Sequence, residues 1–136
     1  MALNTRFETG IHALVLLAAE PDKLHTSEDV ARSLNTNSVV VRRVFSQLRQ
    51  AELLLSHKGP SGGSKLARPA KEITLRDIHR AIDPHGLLRA PSLSAAPGLR
   101  SVLKGAFSAA SRAAEKELDE TTLSQLVKKA AKKSKH

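Results

Sequence analysis

The chain has 136 residues, enough for one domain with an appended oligomerisation element. Its net charge of +9 favours a polyanionic partner, either nucleic acid or an anionic membrane surface; the alternative is a basic protein kept soluble by its charge. The absence of cysteine excludes disulfides, thiolate metal sites and cysteine-ligated iron–sulfur clusters. With 40% hydrophobic but only 2% aromatic residues, the core must be aliphatic, which favours a mostly α domain.

The most apolar segment, residues 11–19, is much shorter than the roughly 20 residues that a membrane-spanning helix requires. It also lacks the cleavage pattern of a signal peptide. We therefore expect a cytoplasmic protein that does not associate with membranes.

Three helices are predicted in the first 50 residues. The first covers residues 5–19, where an apolar stripe recurs at helical spacing. Ser27 is predicted to cap a short helix that ends at Leu34, and Ser38 to cap a longer helix after the polar turn 35–37. The apolar face of this longer helix is formed by Val41, Val44, Phe45 and Leu48. A helix, a three-residue turn and a second helix have the spacing of a helix-turn-helix.

In a helix-turn-helix the second helix enters the major groove of DNA with its N-terminal residues nearest the bases. Two arginines on a helix usually form only a solvated face, but here the preceding turn, their position on the helix and the hairpin that follows together favour a contact with DNA. The residues predicted to contact DNA from this element are Thr36, Asn37, Ser38, Val39, Arg42 and Arg43.

A basic hairpin is predicted after this helix, with strands near residues 53–55 and 65–67 and a glycine-rich loop between them. Gly62 and Gly63 are expected to permit positive φ and a close approach of the backbone to a phosphate or groove floor. From residue 41 to residue 68 there are six Lys and Arg residues against one acid, Glu52. Phosphate contacts are predicted for the hairpin residues Ser56, His57, Lys58 and Ser61, and for Asn4, Thr5 and Arg6 at the start of the first helix.

Four segments together resemble the Rrf2 family of bacterial winged-helix transcription regulators. They are TRFETGIHALVLLA, SVVVRRVFSQLRQAELLLS, HKGPSGGSKLARP and EITLRDIHRAID, which span roughly residues 1–83 in the family's order. The resemblance implies a winged helix-turn-helix and a dimer built on a long C-terminal helix. In this family, the members that sense iron–sulfur clusters carry three cysteines in about the region of residues 83–98. This chain has no cysteine there, so the resemblance does not imply that it senses a cluster. Two further departures are Glu52, where the family often has glycine, and Ser64, where it often has an aromatic residue.

The C-terminal part is predicted to contain a dimerisation unit. Thr74 is expected to cap a helix with Leu75, Ile78 and Ile82 inward and with His79 and Arg80 towards solvent. The domain boundaries we predict are a DNA-binding domain at 1–83, a linker at 84–98, dimerisation helices at 99–130 and a basic disordered tail at 131–136. Thr122 and Gln125 resemble a capping box that opens the last helix. The predicted dimer stripe consists of Leu99, Val102, Leu103, Ala106, Phe107, Ala110 and Ala114.

The function predicted from these features is a sequence-specific, homodimeric DNA-binding regulator, most simply a repressor, on a pseudo-palindromic operator. The alternative is an architectural protein that coats DNA without sequence choice, which the lysine-rich tail would also fit. The histidines follow no catalytic or metal-binding spacing, so neither an enzyme nor a cofactor is predicted. His79, Asp83 and His85 are candidates for a metal contact, but no metal site is predicted from them. Whether an unidentified small-molecule effector binds between the linker and the long helix is left open.

Overall fold

The structure is a computed structural model that describes residues 5–83 and 96–133. The fold is mostly α, with a two-stranded antiparallel sheet. Its elements are, in chain order, α1 (Thr5–Ala19), α2 (Ser27–Leu34), α3 (Ser38–Gln50), β1 (Leu54–His57), β2 (Gly63–Leu66), a 3₁₀ turn (Ala70–Glu72), α4 (Leu75–Ile82), α5 (Pro97–Asp119) and α6 (Leu123–Lys133). No helix in the described ranges is long and apolar enough to cross a bilayer.

The helix-turn-helix predicted from the sequence is confirmed, but each of its two helices is capped one residue earlier than predicted. Thr26, not Ser27, caps α2 by accepting a hydrogen bond from the backbone N–H of Asp29 at 3.0 Å. Asn37, not Ser38, caps α3 by accepting from Val39 N–H at 2.7 Å. The turn between the helices begins at Asn35 in the left-handed conformation, with φ of 54°.

The hairpin is confirmed, and a third chain segment joins it. β1 and β2 pair antiparallel, with Leu54 opposite Leu66 and His57 opposite Gly63. His25, just before α2, forms a β-bridge with Ser64 through two backbone hydrogen bonds of 2.9 and 2.8 Å. A Cβ on Gly63 would lie 3.0 Å from the backbone of His25, and φ there is +156°. Glycine therefore lets the wing pack directly against the start of the helix-turn-helix.

The core is mainly aliphatic, as the composition predicts, although Phe7 and Phe45 are also buried in it, and it includes a residue from the C-terminal part of the chain. Leu123 at the start of α6 is fully buried, and its N–H donates to Ile73 O at 2.7 Å. Leu75 N–H donates to Thr121 O at 3.0 Å, so the segment before α6 pairs with the segment before α4. The core residues with the least exposure are Ala13, Leu14, Leu17, Val41, Val44, Leu48, Ile73, Ile78 and Leu123.

The prediction that His79 faces solvent is wrong. Its side chain is only 2% exposed and meets Phe7 edge to face, with ring centroids 5.1 Å apart. The reason is that α4 is covered on two sides, by α1 and by α5, so that a polar position on it becomes interior. Burial lowers the pKa of His79, although Asp83 and Glu115 act in the opposite direction. The predicted cap of α4 is confirmed, because Thr74 accepts a hydrogen bond from Asp77 N–H at 3.1 Å. The Asp77 carboxylate accepts one in return from Thr74 N–H at 3.0 Å, which completes a capping box.

The long helix α5 lies largely uncovered in the protomer. None of its described residues is buried, and Leu99 and Val102 are 53% and 68% exposed. The Thr122–Gln125 capping box is confirmed by two hydrogen bonds, of 2.9 and 3.2 Å. α6 continues to Lys133. It thus extends into residues 131–136, for which a disordered tail is predicted; residues 134–136 of that tail lie outside the described ranges.

Candidate nucleic-acid interface

The start of α3 presents the side chains that the sequence predicts for DNA recognition. Arg42 and Arg43 are exposed, whereas Val41, between them and the turn, is buried in the core. Val39 is 52% exposed, on the side of α3 that is not packed against the core. In the major groove, an apolar side chain at such a position would contact a thymine methyl group. Of the remaining predicted residues, Thr36 and Asn37 are exposed and Ser38 is half-buried.

A groove of 550 Å³ separates α3 from the wing and joins two of the predicted contact regions. Arg42 lines it from α3, and Lys58 from the tip of the wing. Further hairpin residues that line the groove are Ser56, His57, Gly62 and Gly63. Ser61 is exposed on the same loop. Predicted contact residues of the helix and of the wing therefore line the same groove.

The wing tip is shaped by glycines in a way that differs from the sequence prediction. Positive φ is found at Gly59 (113°) and Gly63 (156°) but not at Gly62. Gly62 is required for a different reason, because a Cβ there would collide with the backbone oxygen of His57. Both constraints fix the position of the loop that carries Lys58 and Ser61.

Among the groove-lining residues that were not predicted as site residues, Arg49 and Glu28 bring a basic and an acidic side chain to it. Arg49 donates to the hydroxyl of Ser56 at 3.4 Å and so links α3 to β1. It lies seven residues after Arg42, hence on the same side of the helix, and this spacing could have revealed it. Glu28, in the first turn of α2, forms an ion pair of 3.1 Å with Arg42. No local sequence pattern indicates this pair, because its members are 14 positions apart.

The start of α1 lies on a second, smaller cleft. Thr5 lines it together with Asn35 and Thr36 of the turn, in a volume of 260 Å³. Thr5 is exposed and Arg6 is half-buried, while Asn4 lies outside the described residues. A helix N-terminus beside the turn can bind a backbone phosphate through its free N–H groups.

Helix α3 is also attached to the C-terminal end of α4. The Gln47 side chain donates its Nε2–H to Ile82 O at 3.2 Å, across 35 residues. This bond fixes α3 at the point where the chain leaves α4 for residues 84–95. Those residues lie outside the described ranges, and they include the linker beside which the binding of an effector was left open.

The fold and the basic groove define a winged helix-turn-helix DNA-binding protein. The chain matches the Rrf2 family, described as iron-dependent transcriptional regulators, over residues 3–129, and it belongs to that family. It is 34% identical over 131 residues to YwnA of Bacillus subtilis (strain 168), which is named as an HTH-type transcriptional regulator; the match covers 92% of this chain and 96% of YwnA. The chain is thus a DNA-binding transcription regulator and not an enzyme.

Two solved structures have the same fold. CymR of Staphylococcus aureus in its oxidised form is 26% identical and superposes with a TM-score of 0.71, over 93% of this chain and 96% of that chain. IscR of T. potens superposes with a TM-score of 0.74, over 96% of this chain and 88% of that chain, at 23% identity. The wing, the helix-turn-helix and the long helix are therefore shared features of the fold.

The iron in the family description does not fit the part of this chain that the structure describes. Cysteine ligation is impossible, since the sequence contains no cysteine. Within residues 5–83 and 96–133, no group of three or more His, Asp and Glu side chains could hold a metal ion. Of the three candidates for a metal contact, His79 is buried beside Phe7, and His85 lies outside the described residues.

Proposed function

We propose that this regulator acts as a homodimer that recognises a pseudo-palindromic operator and represses transcription from it. The observation that carries the proposal is the basic groove between α3 and the wing, together with the uncovered apolar side of α5 on the same protomer. Repression is the simpler mode, because occupation of a promoter is sufficient to block transcription, whereas activation also needs a contact with the polymerase. A cytoplasmic location is part of this proposal, because the DNA that a bacterial regulator binds lies in the cytoplasm.

In the proposed complex, α3 lies in the major groove and the wing follows the flanking minor groove. Arg42 and Arg43 contact guanine edges or phosphates, and Val39 contacts a thymine methyl group. The hairpin residues Lys58 and Ser61 and the start of α1 contact the sugar-phosphate backbone on either side. The exposed side chains among these residues, which are Thr5, Val39, Arg42, Arg43, Lys58 and Ser61, are available to DNA.

The dimer is supported by apolar surface that the protomer itself does not cover. The α5 stripe contains Leu99 and Val102, more than half of whose surface is exposed, and the half-buried Leu103 and Phe107. Exposed apolar stripes of this kind on a long helix mark protein interfaces. A second apolar surface, a cavity of 320 Å³ between α1 and α6, is lined by Ile11, Val15, Leu16, Leu34, Leu126 and Ala130 together with His12. We propose that α5 of the second copy covers part of this apolar surface.

The experiment that tests the function is a titration of the purified protein against the DNA upstream of its own gene, with competitor DNA and at several salt concentrations. We expect a complex that survives competitor, with a footprint of twofold symmetry whose half-sites are about 10 base pairs apart or somewhat more. Binding that follows DNA length instead of sequence, and that disappears at modest salt, would support the architectural alternative. A transcription reaction from the bound promoter then distinguishes repression from activation.

A further inference from the structure

We propose that Glu28 is a positioning residue that determines the sequence specificity of Arg42. The inference rests on the proposed function, in which Arg42 contacts a base edge. It starts from the ion pair between the two side chains, with Arg42 Nη1 to Glu28 Oε1 at 3.1 Å. This pair joins the first turn of α2 to the first half of α3 across the turn.

The carboxylate of Glu28 is itself held in place. Its second oxygen, Oε2, accepts a hydrogen bond from the hydroxyl of Ser27 at 3.2 Å. A backbone hydrogen bond, then the Ser27 hydroxyl, and then Arg42 lower the pKa of Glu28 below its ordinary value of 4.5. Glu28 is therefore charged at neutral pH, and its two oxygens are committed to different partners.

The pair is poorly explained by stability alone. Both side chains are more than half exposed, at 53% and 58%, and exposed ion pairs contribute little to folding. A carboxylate on a surface that faces DNA also repels phosphates. The cost to general DNA affinity suggests that the pair serves another purpose, which is the orientation of the guanidinium.

The guanidinium of Arg42 has enough donors to bind Glu28 and a base edge at the same time. A guanidinium has five N–H donors in a rigid fork, and Glu28 uses only Nη1. The edge formed by Nε and Nη2 remains available, and this edge can donate in parallel to O6 and N7 of guanine. Without Glu28 the side chain is free to turn towards the nearest phosphate, where it contributes affinity but no base preference.

The test uses Glu28→Gln, which keeps the size of the side chain and removes its charge. DNA sites are first selected from a random library with the wild-type protein. The affinities of each variant are then measured for the selected site, for sites with single base-pair changes, and for competitor DNA. We expect Glu28→Gln to lower the preference at one base pair of each half-site by about fivefold or more. We also expect tighter binding to competitor, with a salt slope steeper by about 0.9 for each new phosphate contact.

Asp29→Asn is the matched control, because Asp29 lies in the same turn of α2 and loses the same charge but pairs with Arg32. It should leave the base preference unchanged. In the Arg42→Ala background, Glu28→Gln should have no further effect on that preference. Three outcomes would overturn the inference: an unchanged preference in Glu28→Gln, an equal loss in Asp29→Asn, or an effect of Glu28→Gln that persists without Arg42. A wild-type protein with no preferred sequence would instead overturn the proposed function, and the inference with it.

Discussion

The end of α3 allows a quantitative prediction about Glu52. Three backbone hydrogen bonds close this helix: Ala51 N–H to Gln47 O, Glu52 N–H to Arg49 O, and Leu53 N–H to Leu48 O, at 3.1, 2.9 and 2.9 Å. The last two bonds define a Schellman motif, with Leu53 and Leu48 as its buried apolar contact. Glu52 occupies the left-handed position of the motif, with φ of 62°. Glycine is the residue that adopts this conformation without a steric penalty.

We expect Glu52→Gly to stabilise the protein. Relief of the left-handed strain contributes about 1–2 kcal/mol, and the greater freedom of glycine in the unfolded chain offsets about 0.4–1 kcal/mol of it. The net gain is about 0.5–1 kcal/mol, which for a chain of this length corresponds to a rise in Tm of about 2–4 °C. Thermal unfolding followed by circular dichroism, at one protein concentration, measures this shift.

Glu52→Gln is the control for Glu52→Gly, because it removes the charge but keeps the Cβ that causes the strain. Its Tm should stay close to that of the wild type. An equal gain in both variants would assign the effect to the carboxylate, and a loss of stability in Glu52→Gly would refute the strain argument altogether.

Three further predictions concern the core, the wing and the dimer. The pKa of His79 is lower in the folded protein than in the unfolded chain, so the unfolded chain takes up this proton at a higher pH. The free energy of unfolding should therefore fall as the pH drops below 6.5, with a slope of at most about 1.4 kcal/mol per pH unit. His79→Leu should flatten this part of a urea-denaturation pH profile. Gly62→Ala should weaken DNA binding by about tenfold, as measured by fluorescence anisotropy, because its Cβ displaces the wing tip. Val102→Glu should yield monomers in light scattering after gel filtration, because an interface would have to bury its carboxylate.

Each of these variants has a comparison that isolates its cause. The pH profile of His79→Leu is compared with that of the wild type, because Glu28 and Asp29, whose pKa values are lowered, contribute equally to both profiles. Gly98→Ala adds a Cβ that meets nothing within 4 Å and should leave DNA binding intact. Ser101→Glu places the charge on the opposite side of α5 from the stripe. If Ser101→Glu also yields monomers, the dimer does not form through the proposed face of α5.

Elements with strong periodicity or explicit turn chemistry could be predicted from the sequence. The bounds of α1 and α2 agree with the prediction, since their apolar spacing is regular and Pro21 and Asn35 interrupt it. The capping residues were each displaced by one position, because a Ser follows a Thr or an Asn at both helix starts and all three residue types make good caps. Only the backbone shows that Thr26 and Asn37 have the extended conformation.

Features that depend on contacts between distant segments could not be predicted. The burial of His79 requires knowing that both α1 and α5 cover α4, and the Glu28–Arg42 pair requires the angle between α2 and α3. The bridge between His25 and Ser64 leaves no local signal either, although Gly63 marks the close approach. The lysines of α6 suggested disorder, but the alanines and the capping box at Thr122 favour a helix as far as Lys133.

The return of the chain into the core at Leu123 has a consequence for any attempt to divide this protein. A fragment that ends at Asp83 would lose a fully buried leucine, and Ile73 O would lose its 2.7 Å donor. The minimal unit that keeps an intact core therefore includes α6, and the C-terminal end of α5 is held to that core by the residues that follow it. A displacement of this end of α5 would reach the segment before α4 directly, through the backbone hydrogen bonds of Thr121 and Leu123.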